Sequence, residues 1–258
     1  MNSNLAYRLI LNRMGYYDYQ NSLIFRHLNQ DGLWESHLQN CREFILRSLD
    51  FYKPDTVTVL GSGWLLDLPL AEIIEKTSKV RLVDIVHPPA VREQTAAFTS
   101  VELIEDDVTG GVIREVWEKC RNHFFFNRLR TLENIIISEY HPDFDPGMVI
   151  SLNIMTQLES MLLRHLKKHA IIKDDELLKF RAKIQEGHIS FLVKHQSVLI
   201  TDIDEVVTDK SGRISSIPGL LTSLPDVTQS EEWIWNFDLT GTDYNNRRSV
   251  MKMKAVII

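Results

Sequence analysis

The chain has 258 residues, of which 44% are hydrophobic and 25% are charged, so it can bury a large core in one α/β domain or two smaller ones. The formal net charge of −6 argues against a sequence-independent electrostatic hold on nucleic acid or anionic lipid. No window approaches the roughly 18 apolar residues of a membrane span, and the N-terminus lacks a signal-peptide pattern, so we expect a soluble, cytoplasmic protein. Its two cysteines are far apart in sequence, and we expect no disulfide framework and no metal site.

The first 52 residues predict a helical N-terminal segment. From residue 4 to about residue 51 no β-rich run appears, and apolar residues recur at helical spacing, as in Leu38, Cys41, Phe44, Ile45 and Leu49. The pattern changes at "KPDTVTVL", where a proline precedes a β-branched run typical of a buried strand. The sequence therefore predicts two parts, a segment over residues 1–52 and a domain over residues 53–258.

Strands and helices alternate after that boundary. A helix is predicted over residues 65–77, then a strand at "KVRLVDIV", a short helix after two prolines, a strand at "VELIEDD" and a helix from residue 112. The segment "NIIIS" is typical of either an extra strand or the end of a helix. This alternation predicts parallel β-α-β units.

The second half continues the pattern and then changes it. Residues 148–152 predict a fourth strand, followed by helices over residues 157–170 and 174–194 and a fifth strand at "SVLITDID". Two more strands are predicted at "EEWIWNFDL" and "SVMKMKAVII", separated by the turn-rich "TGTDYNNRR".

A short glycine turn, Gly61-Ser62-Gly63, joins the first strand to the following helix. Such a turn places bare backbone and a helix N-terminus at the carboxyl edge of a parallel sheet, where open α/β sheets bind ligands. A tight corner also needs glycine for conformational reasons alone. Taken by itself, the turn fits both interpretations.

Two acidic residues at later strand ends favour a ligand site. Asp84 ends the second strand, where a carboxylate can accept hydrogen bonds from both hydroxyls of a ribose. Asp107 ends the third strand, where an acceptor next to a backbone N–H can meet the edge of an adenine. A glycine turn and two acids at successive strand ends together predict a pocket for an adenosine compound.

These segments resemble the class I S-adenosylmethionine-dependent methyltransferases. The resemblance rests on "VTVLGSG", "VRLVD", "VELIEDDV" and "DPGMVISLNIMTQL", and on their order from about residue 54 to the C-terminus. It implies a Rossmann-like, mostly parallel seven-stranded sheet with helices on both faces and an antiparallel C-terminal strand. It also implies an enzyme that transfers a methyl group from S-adenosyl-L-methionine to a small-molecule or protein acceptor.

The family pattern assigns roles to particular residues. Gly61, Ser62 and Gly63 would approach the amino-acid part of S-adenosylmethionine, Asp84 its ribose, and Asp107 with the adjacent Val108 its adenine. The same pattern puts Asn153 near the methyl group or the acceptor. Trp64 fits two interpretations, packing over the cofactor or a place in the core.

The chain departs from the family pattern at two positions. Val59 stands where an acid is common, and Leu65 where a third glycine is common. These departures keep a second hypothesis open, a non-catalytic binding module with a degenerate cofactor pocket. A nicotinamide dehydrogenase is disfavoured because its fingerprint needs a third glycine at the position of Leu66.

Methyl transfer from a sulfonium needs alignment more than a dedicated base, so catalytic residues are hard to name. The weak candidates are Asn153 and His188, the latter as a base facing the pocket. The sequence after the fourth strand lacks the motifs of amino-methylating nucleic-acid enzymes, which disfavours a nucleic-acid acceptor. The aromatic N-terminal segment could cover the active site as a lid, pack on the sheet or form a homodimer contact; Tyr16, Tyr17, Tyr19 and Trp34 are its candidate lid residues.

Overall fold

A computed structural model describes residues 2–121, 128–242 and 246–258. The helices are α1 (Asn2–Met14), α2 (Tyr16–Asn29), α3 (Glu35–Tyr52), α4 (Leu70–Lys76), α5 (Pro89–Thr95), α6 (Val112–Arg121), α7 (Ser160–His169) and α8 (Asp174–Leu192). The strands are β1 (Thr56–Leu60), β2 (Lys79–Asp84), β3 (Val101–Glu105), β4 (Met148–Leu152), β5 (Ser197–Thr208), β6 (Ile214–Pro218), β7 (Gln229–Asp238) and β8 (Arg248–Ile257). Part of the predicted turn "TGTDYNNRR", residues 243–245, lies outside the described residues.

One mixed sheet organises the fold, with the strand order β3-β2-β1-β4-β5-β8-β7. The strands from β3 to β5 pair in parallel; Val57 of β1, for example, lies opposite Val80 of β2 and Met148 of β4. Strand β8 is antiparallel to both of its neighbours, β5 and β7. The predicted parallel sheet with an antiparallel C-terminal strand is therefore confirmed.

The sheet has eight strands in the described residues, not the seven expected from the sequence. The extra strand, β6, forms an antiparallel hairpin with the end of β5, where Ile214 lies opposite Thr208. All five residues of β6 are exposed, so the segment has none of the buried alternation by which a strand is recognised in a sequence.

Helices cover both faces of the sheet because successive strand residues point to opposite faces. Val57 and Val59 of β1 pack into a core under α3 and α4, whereas the next residue, Leu60, packs into the core under α6, α7 and α8. Each fully buried aliphatic side chain of this kind contributes about 1.5–3 kcal/mol to folding. The central parallel strands β1 and β4 are buried on both faces, as their β-branched runs predict, whereas the edge strand β3 has no buried residue.

The N-terminal helices lie in two places. Helix α3 belongs to the core of one sheet face through Phe44, Ile45 and Leu49, which are almost completely buried. Residues of α1 and α2, including Leu11 and Tyr16, pack into the core of the other face. The division into residues 1–52 and residues 53–258 stays a prediction.

Two predicted elements differ from those observed. Residues 134–138 form neither a strand nor a helix, although Ile135 is buried in the core. Helix α4 begins at Leu70 and not at residue 65, because Leu65 takes a left-handed conformation (φ 60°) and Pro69 comes just before the first turn. None of the helices in the described ranges is both long enough and apolar enough to cross a lipid bilayer.

Candidate functional site

A pocket opens at the carboxyl ends of β1, β2, β3 and β4 and is covered by α2 and the start of α3. The glycine turn, both predicted acids and the residue after β4 all line this pocket; they are Gly61, Gly63, Asp84, Asp107 and Asn153. The carboxyl ends of parallel strands lie at one edge of a sheet, so residues distant in sequence meet there.

The structure supports both interpretations of the glycine turn, a tight corner and a wall of a ligand pocket. A Cβ on Gly61 (φ 80°) would lie 2.7 Å from the Cβ of Ile154 and 2.9 Å from the carbonyl oxygen of Leu152, so Gly61 is required for a tight corner. A Cβ on Gly63 (φ 51°) would meet nothing closer than 3.8 Å, because Gly63 borders the open pocket. Ser62 between them is buried and does not line the pocket.

Asp84 connects the end of β2 to the glycine turn. Its Oδ2 accepts a hydrogen bond of 2.8 Å from the backbone N–H of Gly63. Burial raises the pKa of the Asp84 carboxyl above its usual value, and the Gly63 N–H and nearby His87 oppose that shift. The carboxylate therefore fixes the position of the Gly63 backbone at the pocket wall.

Asp107, after β3, is held by the first helix. Its Oδ2 accepts a hydrogen bond of 2.9 Å from the hydroxyl of Tyr7 in α1, and its Oδ1 accepts one of 3.0 Å from the backbone N–H of Thr109. Burial raises the pKa of the Asp107 carboxyl, and these hydrogen bonds oppose the shift. Val108, the next residue, is buried and also lines the pocket.

The strand order identifies the fold. The parallel strands β3 to β5 and the antiparallel β8 form the mostly parallel sheet with an antiparallel C-terminal strand that the resemblance implies. The fold is Rossmann-like.

Comparisons with known proteins give structural neighbours only. No protein-family model matches the chain, and no curated protein matches its sequence. The chain is similar to a structure described as a DhpI–SAH complex (9% identity over 96% of each chain, TM-score 0.36). It is also similar to a Burkholderia thailandensis 1,6-didemethyltoxoflavin-N1-methyltransferase with S-adenosylhomocysteine (11% identity, 93% of this chain and 89% of that chain, TM-score 0.38). A third neighbour is the N-methyltransferase NodS from Bradyrhizobium japonicum with the same ligand (7% identity, 84% of this chain and 86% of that chain, TM-score 0.34).

Polar contacts hold the helices that cover this pocket in place. The indole N–H of Trp64 donates to the carbonyl oxygen of Gln20 at 2.8 Å, which ties the glycine turn to α2. The Tyr19 hydroxyl donates to Oε1 of Gln157 at 3.4 Å. Of the aromatic residues expected to form a lid, Tyr16, Tyr19 and Trp34 line the pocket and Tyr17 does not.

His188 lies away from the pocket. It is buried under the sheet, where its Nε2 forms a hydrogen bond of 2.8 Å with Oγ of Ser151 in β4. Burial lowers its pKa to about 4, so the imidazole is neutral near pH 7. The expectation that His188 faces the pocket as a base is therefore corrected, because that face of β4 points into the core.

Asn153 follows β4 and joins a polar cluster that the sequence did not indicate. Its backbone is left-handed (φ 52°), and its side-chain Nδ2 donates to Oδ2 of Asp67 at 2.7 Å. The same nitrogen lies 3.2 Å from Nε2 of His37 and 3.8 Å from Sγ of Cys41. His37 and Cys41 sit on the inner face of α3, where helical spacing alone predicts only core packing.

The cluster of His37, Cys41 and Asp67 has possible metal-ligand atoms within 4.8 Å of one another, but its surroundings do not fit a metal ion. The indole N–H of Trp233 can only donate, and it points at Nδ1 of His37 at 3.0 Å. The proton of the neutral imidazole must then be on Nε2, the atom that would bind the metal. A ligating histidine needs an acceptor beside its other nitrogen, and a tryptophan cannot provide one.

Proposed function

We propose that the protein is an S-adenosylmethionine-dependent methyltransferase. The observation that carries the proposal is the hydrogen bond between the Gly63 N–H and the Asp84 carboxylate at the wall of the pocket, with Asp107 lining the same pocket at the next strand end. These groups lie in the order in which a nucleoside attached to an amino-acid chain would need them.

The residues have distinct roles in this proposal. The open side of Gly63 admits the amino-acid part of the ligand, Asp84 binds the ribose hydroxyls, and Asp107 and Val108 border the adenine. Trp64 holds the turn against α2. The bound ligand supplies an electrophilic methyl group on sulfur, and the chain has to orient the acceptor and exclude water.

The charge of the pocket favours S-adenosylmethionine over a dinucleotide. Among the described residues that line it there are four carboxyl groups and no Lys or Arg; the four are Asp67, Asp84, Asp106 and Asp107. Such a lining repels a pyrophosphate and suits a ligand with a sulfonium and an ammonium group. This supports S-adenosylmethionine and argues against a nicotinamide dinucleotide.

One observation favours the alternative of a non-catalytic binding module. The Asp107 carboxylate already accepts a hydrogen bond from Tyr7, so an adenine has to share or displace that contact. The two departures from the family pattern, Val59 and Leu65, give weaker support to this alternative. Val59 is fully buried, and Leu65 packs into the same core, so neither side chain lines the pocket.

Calorimetric and thermal titration with S-adenosylhomocysteine tests the proposal, with NAD as the control ligand. A ligand at about a hundred times its dissociation constant adds roughly 2.7 kcal/mol, which raises the melting temperature by roughly 5–10 °C. We expect this rise with S-adenosylhomocysteine and none with NAD. A rise with NAD alone would contradict the proposal.

The variant Asp84→Ala locates the site. We expect it to abolish binding of S-adenosylhomocysteine while the protein stays folded, as checked by circular dichroism. Glu102→Gln is the matched control, because Glu102 is a half-exposed acid on β3 that pairs with Lys79 and does not line the pocket. Unchanged affinity in Asp84→Ala would show that the ligand binds elsewhere.

A further inference from the structure

The pocket has a second compartment at its β4 end, away from Asp107. We call it the acceptor compartment and define it by the lining residues Trp34, His37, Leu38, Leu66, Asp67 and Trp235. Helix α3 and the residue before it, the segment before α4 and strand β7 contribute these residues, and Asn153 after β4 lies beside them.

Apart from Asp67, the walls of the acceptor compartment are aromatic or apolar and carry no charge. The His37 ring stacks flat on Trp235, with ring centroids 3.9 Å apart and planes 4° apart. Trp34 meets Trp235 edge-on at 4.8 Å. Burial lowers the pKa of His37 to about 3, so the ring is neutral at physiological pH. These walls suit a flat, apolar group.

Among the residues that define the acceptor compartment, Asp67 is the one that carries a carboxyl group. The Asn153 side chain donates to its Oδ2 at 2.7 Å. The positive charge of Arg42 acts to lower the pKa of Asp67, but the guanidinium directs its hydrogen bonds elsewhere, to the carbonyl oxygen of Leu66 and to Glu35. The Asp67 carboxyl is therefore oriented by an amide and is not paired with a cation by any described hydrogen bond.

We propose that Asp67 binds the reacting nitrogen of an amine acceptor whose body is flat and apolar and carries no phosphate or carboxylate. This inference rests on the proposed methyltransferase function and names its acceptor class. An anionic acceptor would meet Asp67 with no Lys or Arg among the described lining residues to offset the repulsion. An amine gains a charge-assisted hydrogen bond at the same place.

Asp67 can accept the proton that the nitrogen loses during methyl transfer. The nitrogen lone pair forms the new bond to the methyl carbon, and the methyl–sulfur bond breaks with its electrons kept by sulfur. The proton that the nitrogen loses passes to an Asp67 carboxylate oxygen. Burial raises the pKa of Asp67, which makes its carboxylate a better proton acceptor than an exposed one. The titratable groups around it are His37, Cys41 and Arg42.

The test compares two ligands by calorimetry. Sinefungin is an S-adenosylmethionine analogue that carries an amine where the sulfonium methyl would be, and S-adenosylhomocysteine carries nothing there. We expect wild-type protein to bind sinefungin about tenfold or more tightly than S-adenosylhomocysteine, as a charge-assisted hydrogen bond allows. In Asp67→Asn the preference should fall to about twofold or less, with the affinity for S-adenosylhomocysteine unchanged.

Each other outcome overturns the inference in a recognisable way. Equal affinities in wild-type protein would mean that no carboxylate faces the transferred group. An equal loss of both affinities in Asp67→Asn would mean that Asp67 binds the amino-acid part of the ligand. Failure of both ligands to bind wild-type protein would overturn the proposed function itself. Asp67→Ser serves as a second variant if Asp67→Asn does not fold, and Glu102→Gln should keep the wild-type preference.

Discussion

The two ends of the pocket differ in how far their residues could be predicted from the sequence. The end near β2 and β3 is built from residues at the carboxyl ends of consecutive strands, Asp84 and Asp107, and both were found from the sequence. The acceptor compartment brings His37, Asp67 and Trp235 together beside Asn153, and these four residues come from separate parts of the chain. Asn153 directly follows a strand of the β-α pattern and was found from the sequence, whereas His37, Asp67 and Trp235 meet only through tertiary packing and were not.

Variants of Gly61 and Gly63 test the end of the pocket near β2 and β3 and should give the largest effects. Gly61→Ala places a Cβ 2.7 Å from Ile154 in a left-handed backbone, so we expect a loss of about 2–4 kcal/mol in unfolding free energy. Gly63→Ala should cost only about 1 kcal/mol, because the new methyl group faces open space, yet it should weaken S-adenosylhomocysteine binding at least about tenfold. Chemical denaturation and calorimetry measure the two effects. Equal losses of unfolding free energy in the two variants would contradict the inference that Gly61 is needed for the corner and Gly63 for the ligand.

His188 tests whether a residue first considered catalytic is instead structural. Its folded-state pKa of about 4 is below the unfolded value of 6.5, so the stabilisation by neutral His188 is complete above pH 6.5 and is lost as pH falls toward 4. The loss should reach about 3 kcal/mol at most. Denaturation curves of wild-type protein and His188→Gln at several pH values check this. A pH dependence identical in both would show that His188 does not contribute.

Tyr7→Phe should have the smallest effect. It removes the hydrogen bond from the Tyr7 hydroxyl to Asp107, and we expect a loss of about 1 kcal/mol, or roughly 2–4 °C in melting temperature. Tyr17→Phe is the matched control, since Tyr17 is a half-buried tyrosine that does not line the pocket. An equal shift in both variants would mean that the Tyr7 contact does not fasten α1.

Much of the fold could be predicted because burial follows a local period. Strand β4 was located at residues 148–152, where five successive side chains are buried. Strand β6 was missed because its residues are exposed, and residues 134–138 were ambiguous because three isoleucines fit either element. Asp67 was missed for another reason. Its partner Asn153 is 86 residues away, and no periodicity records that contact.

Within the described residues, strand β7 pairs with the sheet only through β8, which lies between it and β5. During synthesis β7 leaves the ribosome before β8, so it cannot pair with the sheet until β8 has emerged. Trp235 belongs to β7, whereas the glycine turn and both strand-end acids belong to strands that emerge earlier. We therefore expect the Trp235 wall of the acceptor compartment to become fixed after the rest of the pocket.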